Sequence, residues 1–230
     1  MSNELLWFIV LILNFVFILS FYRILGKIGL FIWMPISVIL ANIEVIKTVE
    51  IFGFTNTLGN IIYVTSFLAT DILSENYSKK TAYKAVLAGF MVLIVMTVLM
   101  TFAIKFTPAE SDFAHEHLTA IFSFMPRIAF ASLTAFLVSQ THDVWAYHFW
   151  KNKFPAVKHI WIRNNASSVI SQLIDSIVFN LIAFAGVFEN RVLFEIICTT
   201  YLMKVMVFLC DTPCVYIAER WFRKGKIKDY

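Results

Sequence analysis

The chain has 230 residues, 60% of them hydrophobic and only 15% charged, with a formal net charge of +4. A soluble domain is roughly 45–50% apolar and about 25% charged. A mean hydropathy of +0.76 therefore excludes a soluble enzyme, a disordered tail and a fibrous rod. What remains is an all-α polytopic membrane protein, with 1–230 forming a single transmembrane domain. No stretch has the period-2 alternation of a barrel strand, and backbone in lipid must satisfy its own hydrogen bonds.

Charge-poor stretches predict seven transmembrane helices, each needing about 20 residues. The first, over 5–22, has no charge between Glu4 and Arg23; with no basic leader or cleavage site it reads as a permanent helix. The second covers 28–51 and carries Asn42, Glu44 and Lys47; the third covers 56–77 and the fourth 82–106. A polar connection with Pro108 and several acidic residues leads to the fifth, over 124–150. Within that connection His115-Glu116-His117 reads as an exposed acidic loop, since no further ligand spacing accompanies it. The sixth helix spans 159–187 and the seventh 192–221, where Cys198, Cys210 and Cys214 read as small buried hydrophobes.

The basic residues test this count. Arg23 and Lys27 separate helices one and two, and Lys79, Lys80 and Lys84 separate three and four. Lys151, Lys153, Lys158 and Arg163 flank the connection from five to six, and Arg220, Arg223, Lys224, Lys226 and Lys228 form the tail. Together they are 14 of the 19 basic residues, while the alternate connections carry Glu50, Glu110, Asp112, Glu116, Glu189 and Glu195. Cytoplasmic loops hold the excess Lys and Arg, which predicts an outside N-terminus and a cytoplasmic C-terminus. The sequons at Asn76 and Asn165 then face the cytoplasm and stay unmodified.

Ionisable groups within spans cost roughly 2.5–3.5 kcal/mol on insertion scales, so they face protein or a cavity. Here they are Glu44 and Lys47, Asp71 and Glu75, Arg127 and Asp143, Asp175, then Lys204 and Asp211. Amides accompany them at Asn42, Gln140, Asn164, Asn165, Gln172 and Asn180. Ser168, Gln172 and Asp175 share one helical face, as do Gln140 and Asp143. Carboxylates and amides outnumber the cations available, more than helix-gluing pairs require. A cavity for a polar solute accounts for the surplus, with Trp33, Tyr63, Phe67, Trp145 and Phe179 as candidate walls. A faint repeat agrees: Asp71 and Asp143 each precede a lysine by eight positions, and Asp211 precedes Arg220 in a comparable setting. These aspartates are expected at similar depth, a transporter habit.

The run Phe67-Leu-Ala-Thr-Asp71-Ile-Leu-Ser-Glu75-Asn-Tyr77-Ser-Lys79-Lys80 resembles the signature of the queuosine precursor transporters, the vitamin uptake transporter family. Further matches are Arg127-Ile-Ala-Phe-Ala-Ser132, Ser139-Gln140 with Asp143-Val144, and Trp161-Ile-Arg163-Asn164-Asn165. Ser168, Ser171-Gln172-Leu-Ile-Asp175-Ser, and Lys204 ahead of Pro213 continue the pattern over residues 40 to 220. Ser78 departs from it, standing where the family often has glycine. The resemblance implies an importer of 7-deazaguanine bases, such as the 7-cyano and 7-aminomethyl forms or queuine, in the bacterial cytoplasmic membrane. Substrate contact is then expected from Asn42, Asp71, Gln140, Asp143, Ser168, Gln172 and Asp175. Glu44, Glu75 and Lys204 are expected to act in coupling or as counter-ions.

No enzyme activity, cofactor, metal or nucleic-acid partner is expected; the partners are a planar deazapurine base and the lipid bilayer. A homodimer is one open arrangement. With no P-loop in the chain, the alternative is a binding subunit energised by a separate ATPase module. A seven-helix retinal protein is more distant, since Thr200 occupies the place where an aspartate usually precedes the retinal lysine. An intramembrane hydrolase lacks any G-x-S-x-G site.

Overall fold

Helix α1 runs Asn3–Glu44 and starts on Ser2, whose hydroxyl accepts the Leu5 N–H at 3.3 Å. Forty-two residues at about 1.5 Å each exceed one bilayer core twofold, and the helix is broken at Gly26 (φ 59°, ψ −138°). A side chain could not easily hold that backbone conformation. The two halves fold back on each other there, for a Cβ on Gly29 would lie 2.1 Å from the Phe21 carbonyl oxygen. In an unbroken helix residues eight apart are ~12 Å apart. The computed structural model describes residues 2–186 and 189–228; the expected end of the sixth helix at 187 lies outside them.

Two strands, β1 (Thr48–Ile51) and β2 (Phe54–Thr57), pair antiparallel. They correct the second predicted span, whose helix ends at Glu44 rather than 51, and place Lys47 outside the helix. The physical cause is local: β-branched Thr48, Val49 and Ile51 precede Phe52 and Gly53, both at positive φ (53° and 77°), as a two-residue hairpin turn requires.

Helix α2 (Asn60–Asn76) follows, then α3 (Lys79–Ala103), capped by the Ser78 hydroxyl on the Thr81 N–H at 3.2 Å. Next comes α4 (His115–Phe122), which corrects the loop expected around His115-Glu116-His117. Glu116 sits in its first turn, where a carboxylate meets the positive end of the helix dipole. The remaining helices are α5 (Met125–Lys153), opened by Pro126, α6 (Ile160–Phe184) and α7 (Asn190–Arg223). Arg127 closes α6 from outside, donating to the Ile182 and Ala185 carbonyls at 3.2 and 2.8 Å.

Among the described residues five helical segments are long and apolar enough to cross a membrane: 3–44, 79–103, 115–153, 157–184 and 193–223. With them the chain is an all-α membrane protein carrying one small hairpin. Leu87, Met91, Val95, Leu99 and Phe102 form an exposed apolar stripe on α3 at the spacing of one helical face. Helix α2 is the opposite case. Every residue from Asn60 to Ser74 is buried, because α1, α3, α5 and α7 pack around it.

Candidate functional site

The polar residues of α2, α5, α6 and α7 meet in three tiers along the axis of α2. α2 and α5 run in one direction, with Ser66, Thr70, Asp71 and Glu75 opposite Gln140, Asp143 and Tyr147. α6 runs against both. One helical turn therefore separates neighbouring polar rows.

The first tier is a narrow cleft, open to solvent at its mouth. It is lined on its polar side by Asn42, Asn60, Tyr63, Ser132, Asp175 and Lys204. Asp175 is the hub. Its Oδ1 accepts the Tyr63 hydroxyl at 2.6 Å and the Ser139 hydroxyl at 3.1 Å, and its Oδ2 pairs with the Lys204 ammonium. Lys204 Nζ also lies 5.1 Å from the Tyr63 ring centre, a cation–π contact. The pair is almost wholly withdrawn from solvent, at 3% and 2% side-chain exposure. Asn42 donates to the Val38 carbonyl at 2.8 Å, leaving its Oδ1 buried without a donor.

The second tier begins one turn further along α2. Gln140 donates to the Ser66 hydroxyl at 3.0 Å and accepts from Thr70 at 3.2 Å, so its amide orientation is held at both ends. Below it lie the buried Asp71 and Asp143 carboxyl groups, with both Asp71 oxygens and the Asp143 Oδ2 lacking any hydrogen-bond partner. Ser168 faces Asp143 at 3.3 Å, and Asn164 donates to Asp211 at 2.7 Å. Gln172 is fully buried between Ser168 and Asp175 on one face of α6, with neither amide atom partnered. The faint repeat thus brings its three aspartates together.

The third tier is a latch of charges. Glu75 accepts from Arg163 at 2.9 Å and from the Tyr147 hydroxyl at 3.0 Å. Lys151 donates to the Ser74 and Glu75 carbonyls at 2.9 and 2.7 Å. Arg163 also holds the Phe154 and Pro155 carbonyls of the α5–α6 connection. Sequence reasoning placed Arg163 among loop charges; its complete burial makes it an interior residue of α6.

Of the expected site residues, Asn42, Asp175 and Lys204 come together in the cleft; Gln140, Gln172, Ser168, Asp71 and Asp143 lie beneath it. Glu75 belongs to the latch. Glu44 joins none of these tiers and lines a separate, mostly apolar cavity with Lys47, Trp7 and Ile61. Of the candidate walls only Tyr63 and Phe179 line the cleft. Phe67 is core, Trp33 donates to Thr65 at 3.0 Å, and Trp145 is exposed. Asn60, Ser132, Asp211 and Tyr147 were not among the expected set. Asp211 had a signal in the repeat; Asn60 sits at a helix start that composition alone does not separate from capping.

A buried polar interior within a bundle of apolar helices is that of a multi-pass membrane protein, and its similarity to known proteins makes it a transporter. The chain belongs to the vitamin uptake transporter family: residues 57–218 match the family model described as "Putative vitamin uptake transporter". It is 42% identical over 220 residues to the "Probable queuosine precursor transporter" of Bacillus subtilis, covering 96% of each chain. It is 28% identical to the protein so named in Haemophilus influenzae, covering 72% of this chain and 68% of that one. It is 27% identical to the "Queuosine precursor transporter" of Escherichia coli, covering 73% and 74%. No solved structure matches the chain significantly.

Proposed function

We propose that this protein imports 7-deazaguanine precursors of queuosine across the bacterial cytoplasmic membrane. The observation that carries the reading is the 42% identity over nearly the whole chain, and the cleft supplies suitable chemistry. A guanine-like edge presents N1–H and an exocyclic amine side by side, which one carboxylate accepts in a two-pronged way. Asp175 is the carboxylate at the cleft, where the base takes the place of the Tyr63 and Ser139 hydroxyls on Oδ1 and shares Oδ2 with Lys204. The free Oδ1 of the Asn42 amide adds an acceptor. Lys204 is the counter-ion that keeps Asp175 tolerable when no base is bound. The base then passes Gln140, Gln172, Ser168, Asp143 and Asp71 on its way inward, and Glu75 closes the far end.

The test is uptake by the purified protein in liposomes, offered labelled 7-cyano-7-deazaguanine. Saturable entry that excess 7-aminomethyl-7-deazaguanine or queuine blocks, and adenine does not, is the expected outcome. Entry only after an ATPase partner is added would favour the alternative of a binding subunit. No entry of any deazaguanine under either condition would remove the reading.

For topology we propose seven crossings, with α1 contributing two through its break at Gly26 and α2 one inside the bundle. The alternation of basic and acidic connections supports an outside N-terminus. A phosphatase fused after Tyr230 should be inactive and a fluorescent protein there bright. The reverse result would invert the orientation.

A further inference from the structure

The second tier contains more acid than the passage of a neutral base needs. Asp71, Asp143 and Asp211 are each at most 1% exposed, and among the described residues none of them forms an ion pair. The neighbouring cations are committed elsewhere: Lys204 to Asp175, and Arg163 and Lys151 to Glu75. Facing the trio are Glu75 from α2, Tyr147 from α5, Arg163 and Asn164 from α6, and Cys210 and Cys214 from α7. On α5, His142 reaches the Asp143 surroundings through the Ser171 hydroxyl at 2.9 Å. On α1 and α3 the charges nearest that end of α2 are Lys27, over the Tyr77 ring, and Lys79, over the Tyr83 ring.

Three unpaired anions so close together in a dry interior would cost several kcal/mol each. Both oxygens of Asp71 and one each of Asp143 and Asp211 are also buried with no hydrogen-bond donor, and a bound proton turns such an oxygen from an acceptor into a donor. A second observation points the same way. Gln172 is completely buried between this tier and Asp175 with both amide atoms unpartnered, and Asn164, which donates to Asp211, has its own Oδ1 unpartnered. These groups are disposed to donate to or accept from a ligand at the trio.

We infer that Asp71, Asp143 and Asp211 form a proton-binding site, below the substrate cleft, that couples base entry to a proton moving the same way. With the trio only partly protonated at rest, its remaining charge adds to that of Glu75, one turn along α2, and holds Arg163 and Lys151 in the latch. A further proton removes that charge and loosens the latch. The proton then leaves on the far side with the base. The site rests on the fold; its role in uptake rests on the substrate reading above, and the two are tested apart.

Infrared titration of the full-length protein in lipid, without substrate, reads the site directly. A protonated-carboxyl band persisting at neutral pH and shrinking in Asp71→Asn, Asp143→Asn and Asp211→Asn is expected, and each replacement should shrink it by the same amount in a Glu44→Gln background. A wild-type protein with no such band, or a band that none of the three replacements touches, would overturn the site. In liposomes, uphill accumulation of 7-cyano-7-deazaguanine by wild type should fall about tenfold per pH unit of gradient removed, as for one proton per base. Asp211→Asn, which keeps an oxygen for Asn164, should lose the uphill accumulation and retain exchange of labelled for unlabelled base. Accumulation indifferent to the gradient in wild type would overturn the coupling. Absence of any base exchange in wild type would instead count against the substrate, leaving the infrared result to judge the site.

Discussion

Asp175→Ala is expected to abolish base uptake and also to destabilise the protein, while a double variant separates the two effects. Truncating Asp175 leaves the Lys204 ammonium at 3% exposure with no anion, the situation that costs about 3–5 kcal/mol when one partner of a buried pair is lost. It also strands the Tyr63 and Ser139 hydroxyls that donate to the same carboxylate. The combination Asp175→Leu with Lys204→Met replaces the pair by apolar groups of similar volume and should recover the melting temperature, since buried pairs are often no better than packed hydrophobes. Uptake should stay absent, because no carboxylate then meets the base. Recovery of both melting temperature and uptake would make the pair a structural clamp and remove Asp175 from recognition.

Breaking the latch should open the end of the bundle opposite the cleft. Arg163 is the largest fully buried side chain of the described residues, and its guanidinium joins Glu75 on α2 to two carbonyls of the α5–α6 connection. Glu75→Gln removes the charge that Arg163 and Lys151 share and keeps the shape. The variant should populate the open state, and native Cys214, buried on α7 beside this end, reports it. In a background with Cys198→Ser and Cys210→Ser, maleimide labelling of Cys214 should accelerate by at least tenfold, equivalent to about 1.4 kcal/mol of shifted population. An unchanged rate with a lowered melting temperature would make the cluster a staple rather than a gate.

The sequence reveals much of the fold because its two strongest signals are physical exclusions. Lipid excludes charge, which marks the apolar stretches; the loop charges mark their alternation. The hairpin at 48–57 escaped because its apolar strand β1 continues the hydrophobic run of α1, and only Phe52-Gly53 signals a turn. Periodicity placed Ser168, Gln172 and Asp175 on one face, and all three are buried. It could not say which residues of another helix they meet. Asp175 answers Lys204 and Tyr63, whereas Asn164 answers Asp211, and that difference is set by the register of antiparallel α6 and α7. Glu44 shows the limit of counting carboxylates within spans: it sits at the end of α1 because the helix stops there.

The complete enclosure of α2 bears on how the chain reaches the membrane. A segment of 17 residues carrying Asp71 and Glu75 gains little by partitioning into lipid alone, where each such side chain is penalised. The partners of Glu75 sit on α5 and α6, which leave the ribosome later. Helix α2 is therefore expected to wait beside the insertion machinery, or against α1 and α3, until α5 and α6 arrive. Helix α7 completes the set by bringing Lys204 to Asp175. A nascent chain cut short before Lys204 would present an unpaired Asp175 to the bilayer and to membrane proteases, so quality control can act on the same residues that serve transport.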